Sequence, residues 1–267
     1  MSDLRFADVG WAWEGQGTDP GVPPSIFGVG DAAAFLGLSR SIFIFHPTTP
    51  LALRKLSDKA EVAVDISKWI LEEHRLSDSF YDVAWKSRRD SRPEVALAEA
   101  ELLSRLSLDF PNVTGGFIDD TTCMFEYGSY STEIPEQLRE ALHSANPDLK
   151  LWIVVYVTQL DQGYWEPFLP FVDIISLWMS AADIPNLERH VDRCHEVFPG
   201  KQISVGSYIR DYQAMRANPL DKIELQYETM LRLWQQGRID GYNVLASCEL
   251  DIAMAECEWI RDFIAAH

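Results

Sequence analysis

Basic residues are scarce in this chain: 23 Lys and Arg stand against 41 Asp and Glu, a formal charge of -18. The balance argues against a nucleic-acid backbone or an anionic membrane surface as partner, and it favours neutral or cationic ligands. Long apolar runs are also missing. No stretch approaches the roughly 20 residues that span a bilayer, and Met1-Ser-Asp-Leu-Arg5 lacks the basic and apolar regions of a signal peptide. The expectation is a cytoplasmic protein that binds neither nucleic acid nor membrane. Cysteine is sparse: Cys123, Cys194, Cys248 and Cys257 are far apart and form no C-x-x-C pair, so they read as free thiols rather than disulfides or a zinc cluster. The neighbours Cys194 and His195 fall in a charged helical segment and read as a solvated helix face. No Gly-x-Gly-x-x-Gly follows the first strand, which argues against a dinucleotide-binding open sheet. The nearest run, Phe27-Gly-Val-Gly30, reads as a flexible loop.

What is present is a repeated alternation. The 267 residues, 47% hydrophobic, suffice for one large core. Strands are expected at 6–13, 41–45, 61–66, 113–120, 149–158, 172–178, 202–208 and 241–246. Helices are expected at 31–36, within 48–59, across 68–109, and at 135–144, 164–170, 184–198, 221–236 and 254–266. Pro93 suits a first helical turn, Asp221 reads as a cap, and Gly37 and Gly237 stand just past helix ends. The strands are continuous apolar runs, as strands covered on both faces should be. Eight strand-helix units in one chain predict a single-domain (β/α)8 TIM-type barrel over residues 1–267.

In that architecture active side chains come from the C-terminal ends of the strands. Collected in chain order, the ends supply Trp11, Trp13 and Glu14, then His46, Asp65, Asp119 and Asp120, then Tyr156, Gln159 and Asp161. The later strands add Trp178, then Tyr208, Arg210 and Asp211, and finally Glu249 and Asp251. The first strand offers Trp-x-Trp where a metal-dependent hydrolase would place His-x-His, and no lysine lies inside a strand to form a Schiff base. Carboxylates with large aromatic rings are what glycosidic-bond cleavage needs: an acid for the leaving oxygen, a second carboxylate as nucleophile or base, and ring faces for sugars. Val113-Thr-Gly-Gly-Phe-Ile-Asp119-Asp120 supplies the first acid. Strand alternation, continued to its end, sends its two aspartates to opposite sides. Candidates for the second carboxylate are Glu249, Asp211 and Glu14, in that order, then Asp65 with Lys68 nearby.

The chain resembles the glycoside-hydrolase-like (β/α)8 barrels through Gly-Gly-Phe-Ile-Asp119-Asp120 at the fourth strand, Ile-Ser-Leu-Trp178 at the sixth and Gly-Ser-Tyr208-Ile-Arg-Asp211-Tyr212 at the seventh. The resemblance spans nearly the whole chain and implies a catalytic acid at the end of the fourth strand. The chain departs from the chitinase-like pattern of alternating acids ending in Glu on that strand, and it lacks the Asn-Glu pair of many retaining enzymes. The leading expectation is a metal-independent glycosidase or transglycosylase acting on a neutral carbohydrate without a cofactor. Its catalytic set is Asp119, Asp120, Glu249 and Asp211. Substrate contacts are expected from Trp11, Trp13, Glu14, His46, Asp65, Tyr156, Gln159, Trp178, Tyr208 and Arg210. Two alternatives stay open: a sugar isomerase or lyase with a carboxylate base, metal-assisted or not, and a non-catalytic carbohydrate-binding barrel. Assembly into a homo-oligomer is also left open.

Overall fold

The computed structural model describes residues 4–15, 22–23, 25–67, 69–79, 83–90, 92–122, 125 and 133–267. Lys68 and Cys123 lie outside them. Eight parallel strands close into a barrel in chain order. They are β1 (Gly10–Trp13), β2 (Arg40–Phe43), β3 (Glu61–Asp65), β4 (Val113–Ile118), β5 (Lys150–Tyr156), β6 (Ile174–Trp178), β7 (Gln202–Tyr208) and β8 (Gly241–Leu245), with β8 pairing back onto β1. Around them run α1 (Val29–Leu36), α2 (Pro50–Lys55), α3 (Pro93–Leu106), α4 (Ile134–Leu142), α5 (Gln162–Trp165), α6 (Leu187–Val197), α7 (Leu220–Gln235) and α8 (Met254–Ala266). This is the expected (β/α)8 barrel. Among the described residues no helix is long and apolar enough to cross a membrane.

Local chemistry sets several boundaries. Thr49 caps α2, its Oγ1 accepting the Ala52 N–H at 3.1 Å, and Pro50 takes the first turn, where its missing N–H costs nothing. Gly37 and Gly237 end α1 and α7 with φ of 71° and 68°, a conformation that side chains disfavour.

Four expectations need correction. Trp69–Arg75 and Val83–Arg89 are not helical: they pair as two antiparallel strands, Trp69 opposite Arg89. Charge on both limbs had hidden the strand pattern. Phe6–Val9 is a 3-10 turn, so β1 begins only at Gly10. Pro219 rather than Asp221 precedes α7 as its cap residue. Cys194 is fully buried on the inner face of α6, and His195 meets the Arg238 carbonyl at 2.8 Å, so this pair is not a solvated face.

Two apolar cores result. One joins the helices to the outside of the barrel. The other fills the barrel and contains Trp11, Trp13, Phe117, Trp152, Val154 and Trp178. At its centre a small polar chain is satisfied: Ser204 Oγ donates to Asn243 Oδ1 at 3.0 Å, and Asn243 Nδ2 and Trp178 Nε1 donate to Ser176 Oγ at 2.9 and 2.7 Å. The indole of Trp178 lies across Gly206, where a Cβ would come within 2.1 Å of the ring.

Candidate functional site

The barrel mouth is organised by the end of β4. Pairing stops at Ile118, and Asp119 and Asp120 form a turn in which Asp120 has φ of 42°. Strand alternation therefore does not carry through the acidic pair, and the condition under which it would send the two aspartates to opposite sides is not met. Tyr156, at the end of β5, donates from its hydroxyl to Asp120 Oδ1 at 2.6 Å. Burial pushes the Tyr156 phenol well above its ordinary value, and Tyr208 and the charges of Asp120 and Asp119 push it the same way. Both aspartates thus act on one half-buried phenol, which stays protonated at neutral pH.

A bracing layer holds this group. Thr121 Oγ1 donates to the Ile118 carbonyl and accepts the Val154 N–H, each at 3.1 Å. Gln159 spans the next gap: its Nε2 donates to Thr122 Oγ1 at 2.7 Å, and its Oε1 accepts the Tyr156 N–H at 3.0 Å. Asp65 ends β3 beside β4, in register with Phe117. Its Oδ1 accepts the Ser67 N–H at 2.8 Å and the Ser67 hydroxyl, while Ser67 Oγ accepts the Asp119 N–H at 3.1 Å. Asp65 is therefore tied to the backbone of the acidic pair through Ser67. Ser67, Thr121 and Thr122 were not foreseen as site residues. For Ser67 a signal existed, since an acid followed two residues later by serine is the spacing of an Asx turn.

The other expected residues occupy different places. Trp13 and Trp178 form the floor of the mouth, edge to face at 5.0 Å, and Trp178 packs on Tyr208 at 4.6 Å. At 4% and 2% exposure they interlock rather than present open ring faces. Trp11 lies at the opposite end of the barrel, against Trp152 at 4.9 Å, in the wall of a ≈ 400 Å³ cavity shared with Arg40 and Glu61. Glu14 is buried at the edge of the mouth. It accepts the Ser247 hydroxyl at 2.6 Å and the Val29 N–H at 3.0 Å, with His46 Nε2 at 4.0 Å, beside a largely apolar ≈ 610 Å³ cavity.

Glu249 is buried next to Cys257, whose Sγ donates to the Glu249 carbonyl at 3.7 Å. Asp211 Oδ1 accepts the Gln213 and Ala214 N–H groups at 2.9 and 3.0 Å, a turn-forming arrangement. Asp161 caps α5 through the Tyr164 N–H, and Asp251 accepts from Ser25. Burial pushes the thiols of Cys194 and Cys257 up to about 12, so neither is a thiolate at neutral pH. Among the described residues no three His, Cys, Asp or Glu side chains group to hold a metal ion.

No protein-family model and no curated protein sequence matches the chain. Solved structures do match it in shape. A family 18 chitinase from Crocus vernus has 12% identity and a TM-score of 0.54, covering 96% of this chain and 98% of that one. The catalytic domain of a family 18 chitinase from the fern Peteris ryukyuensis has 14% identity and a TM-score of 0.53, covering 97% and 100%. The chain thus shares the barrel found in glycoside hydrolases, and at these identities the likeness is one of fold.

Proposed function

We propose that the protein cleaves or transfers a glycosidic bond of a carbohydrate at the barrel mouth. Asp119 and Asp120 are the acidic pair, and Asp65 is the carboxylate beside them. The observation that carries this reading is the 2.6 Å hydrogen bond from Tyr156 to Asp120, next to Asp119. It joins a half-buried phenol to one carboxyl group, with a second next to it in the chain, at the face of a (β/α)8 barrel where catalytic side chains collect. A phenol that keeps its proton donates to Asp120 Oδ1 and fixes that carboxyl group in place, as a nucleophile or base needs. Proton donation then falls to Asp119. In this reading Asp119 protonates the leaving oxygen, while Asp120 or Asp65 meets the anomeric carbon directly or through a water. In this reading Asp65 takes the place expected of Glu249 and Asp211, the latter engaged by the Gln213 and Ala214 N–H groups. The scheme needs neither metal nor cofactor.

The test is a panel of aryl α- and β-glycosides covering hexoses, deoxyhexoses, pentoses and uronic acids. The expected result is steady release of the aryl alcohol from at least one member. No release from any member would contradict the reading.

A further inference from the structure

Beside Tyr156 the mouth opens into a cavity of ≈ 190 Å³ whose wall includes Tyr156, Ser180, Tyr208, Arg210, Asp211 and Asn218. Arg210 is 7% exposed. Its guanidinium carries five N–H donors. Among the described residues it makes one hydrogen bond, from Nη2 to the Met215 carbonyl at 3.1 Å, and its Nε is buried without an acceptor. No carboxylate forms an ion pair with it there. Asn218, 3% exposed, donates from Nδ2 to the Tyr208 carbonyl at 2.7 Å, and its Oδ1 is buried without a donor. An ionised group is costly to bury alone, so buried charges are normally paired. Asp211 does not serve, because neighbours on an extended segment project to opposite sides and its Oδ1 already accepts two backbone N–H groups. The segment is also held in place: Arg210 and Asp211 pair with Ala217 and Arg216, and the Ile209 N–H reaches the Leu245 carbonyl at 2.8 Å.

We propose that this cavity binds the carboxylate of an acidic sugar, with Arg210 as its counter-charge. The proposal rests on the carbohydrate reading above and refines it, replacing the neutral sugar that net charge alone favours with a uronic acid. The overall charge of -18 is spread over the molecule and screened beyond about 10 Å at 0.1 M salt, whereas Arg210 stands in the cavity wall. A carboxylate fits better than a phosphate. One guanidinium balances one negative charge, and the Asp211 and Asp120 carboxylates nearby would oppose a dianion. Tyr156 borders the cavity and bonds Asp120, so a ring held here by its carboxylate would lie beside the acidic pair.

The test is calorimetric binding of free D-glucuronate and D-galacturonate against D-glucose, D-galactose and glucose 6-phosphate. A charged hydrogen-bonded contact predicts that one uronate binds about 10- to 100-fold more tightly than its neutral hexose. The preference should vanish in Arg210→Gln and survive in part in Arg210→Lys. No preference in the wild-type protein, or a full preference kept in folded Arg210→Gln, would overturn the site. Tighter binding of the phosphate would overturn the choice of carboxylate. If Arg210→Gln does not fold, the wild-type comparison decides alone. Uronate binding without hydrolysis of any glycoside would remove the glycosidase reading and leave this site standing. Hydrolysis of neutral glycosides without uronate preference would do the reverse.

Discussion

The two ends of the barrel are built from the same residue classes and do different things with them. At the N-terminal end Arg40 sits 2.7 Å from Glu61 and over the Trp11 ring at 5.5 Å, and Thr114 donates to the other Glu61 oxygen at 3.2 Å. Charge there is cancelled by charge. At the C-terminal end Asp65 accepts from Ser67, Asp120 accepts from Tyr156, Asp119 joins them through its own N–H to Ser67, and the nearby Arg210 enters no described ion pair. Several acids at neighbouring strand ends and a buried cation without a described counter-ion favour function over stability. The comparison teaches that composition alone does not mark a site; how the charges are paired does.

Substitutions at the two ends should therefore separate stability from turnover. The largest stability effect belongs to the N-terminal end. Trp152→Ala removes a 4% exposed indole from the barrel interior and should cost about 3–5 kcal/mol in denaturant unfolding, with kcat/KM unchanged where the variant is folded. A fall in turnover without a loss of stability would break the comparison. Tyr156→Phe at the mouth should do the opposite. Loss of the donor to Asp120 should lower kcat by about 10- to 100-fold, the worth of a hydrogen bond to a charged group, with little change in unfolding. Because the phenol is held well above its ordinary value, the wild-type pH-rate profile should show no ionisation of Tyr156 through the neutral range. The smallest effect is expected for Arg40→Gln. Its ion pair is partly solvated, so it should shift unfolding by about 1 kcal/mol or less and leave kinetics untouched.

The sequence carries the barrel plainly because eight apolar runs, each followed by a helical stripe, leave few other arrangements. It carries strand heights poorly. Starting β1 at residue 6 makes both Trp11 and Trp13 look like strand-end residues, whereas a four-residue strand from Gly10 puts Trp11 near the bottom and Trp13 near the top. The acidic pair was legible as a strand end, but its geometry was not. Where β4 stops and the left-handed turn at Asp120 are set by Thr121, Thr122 and Gln159, contacts made across β5. Glu249 looked like a natural partner by position alone. What the structure shows is its backbone carbonyl meeting Cys257 of α8, while Asp65 is linked to the Asp119 N–H through a serine that no spacing rule for catalysis singles out.

The most direct test of the central claim is turnover of the best aryl glycoside by Asp119→Asn and Asp120→Asn, with binding of the sugar product measured in parallel. The account predicts that each substitution lowers kcat by about 10²- to 10⁴-fold, the usual worth of a positioned acid or base, while binding changes only a fewfold. Turnover that stays at the wild-type level in both variants would contradict it.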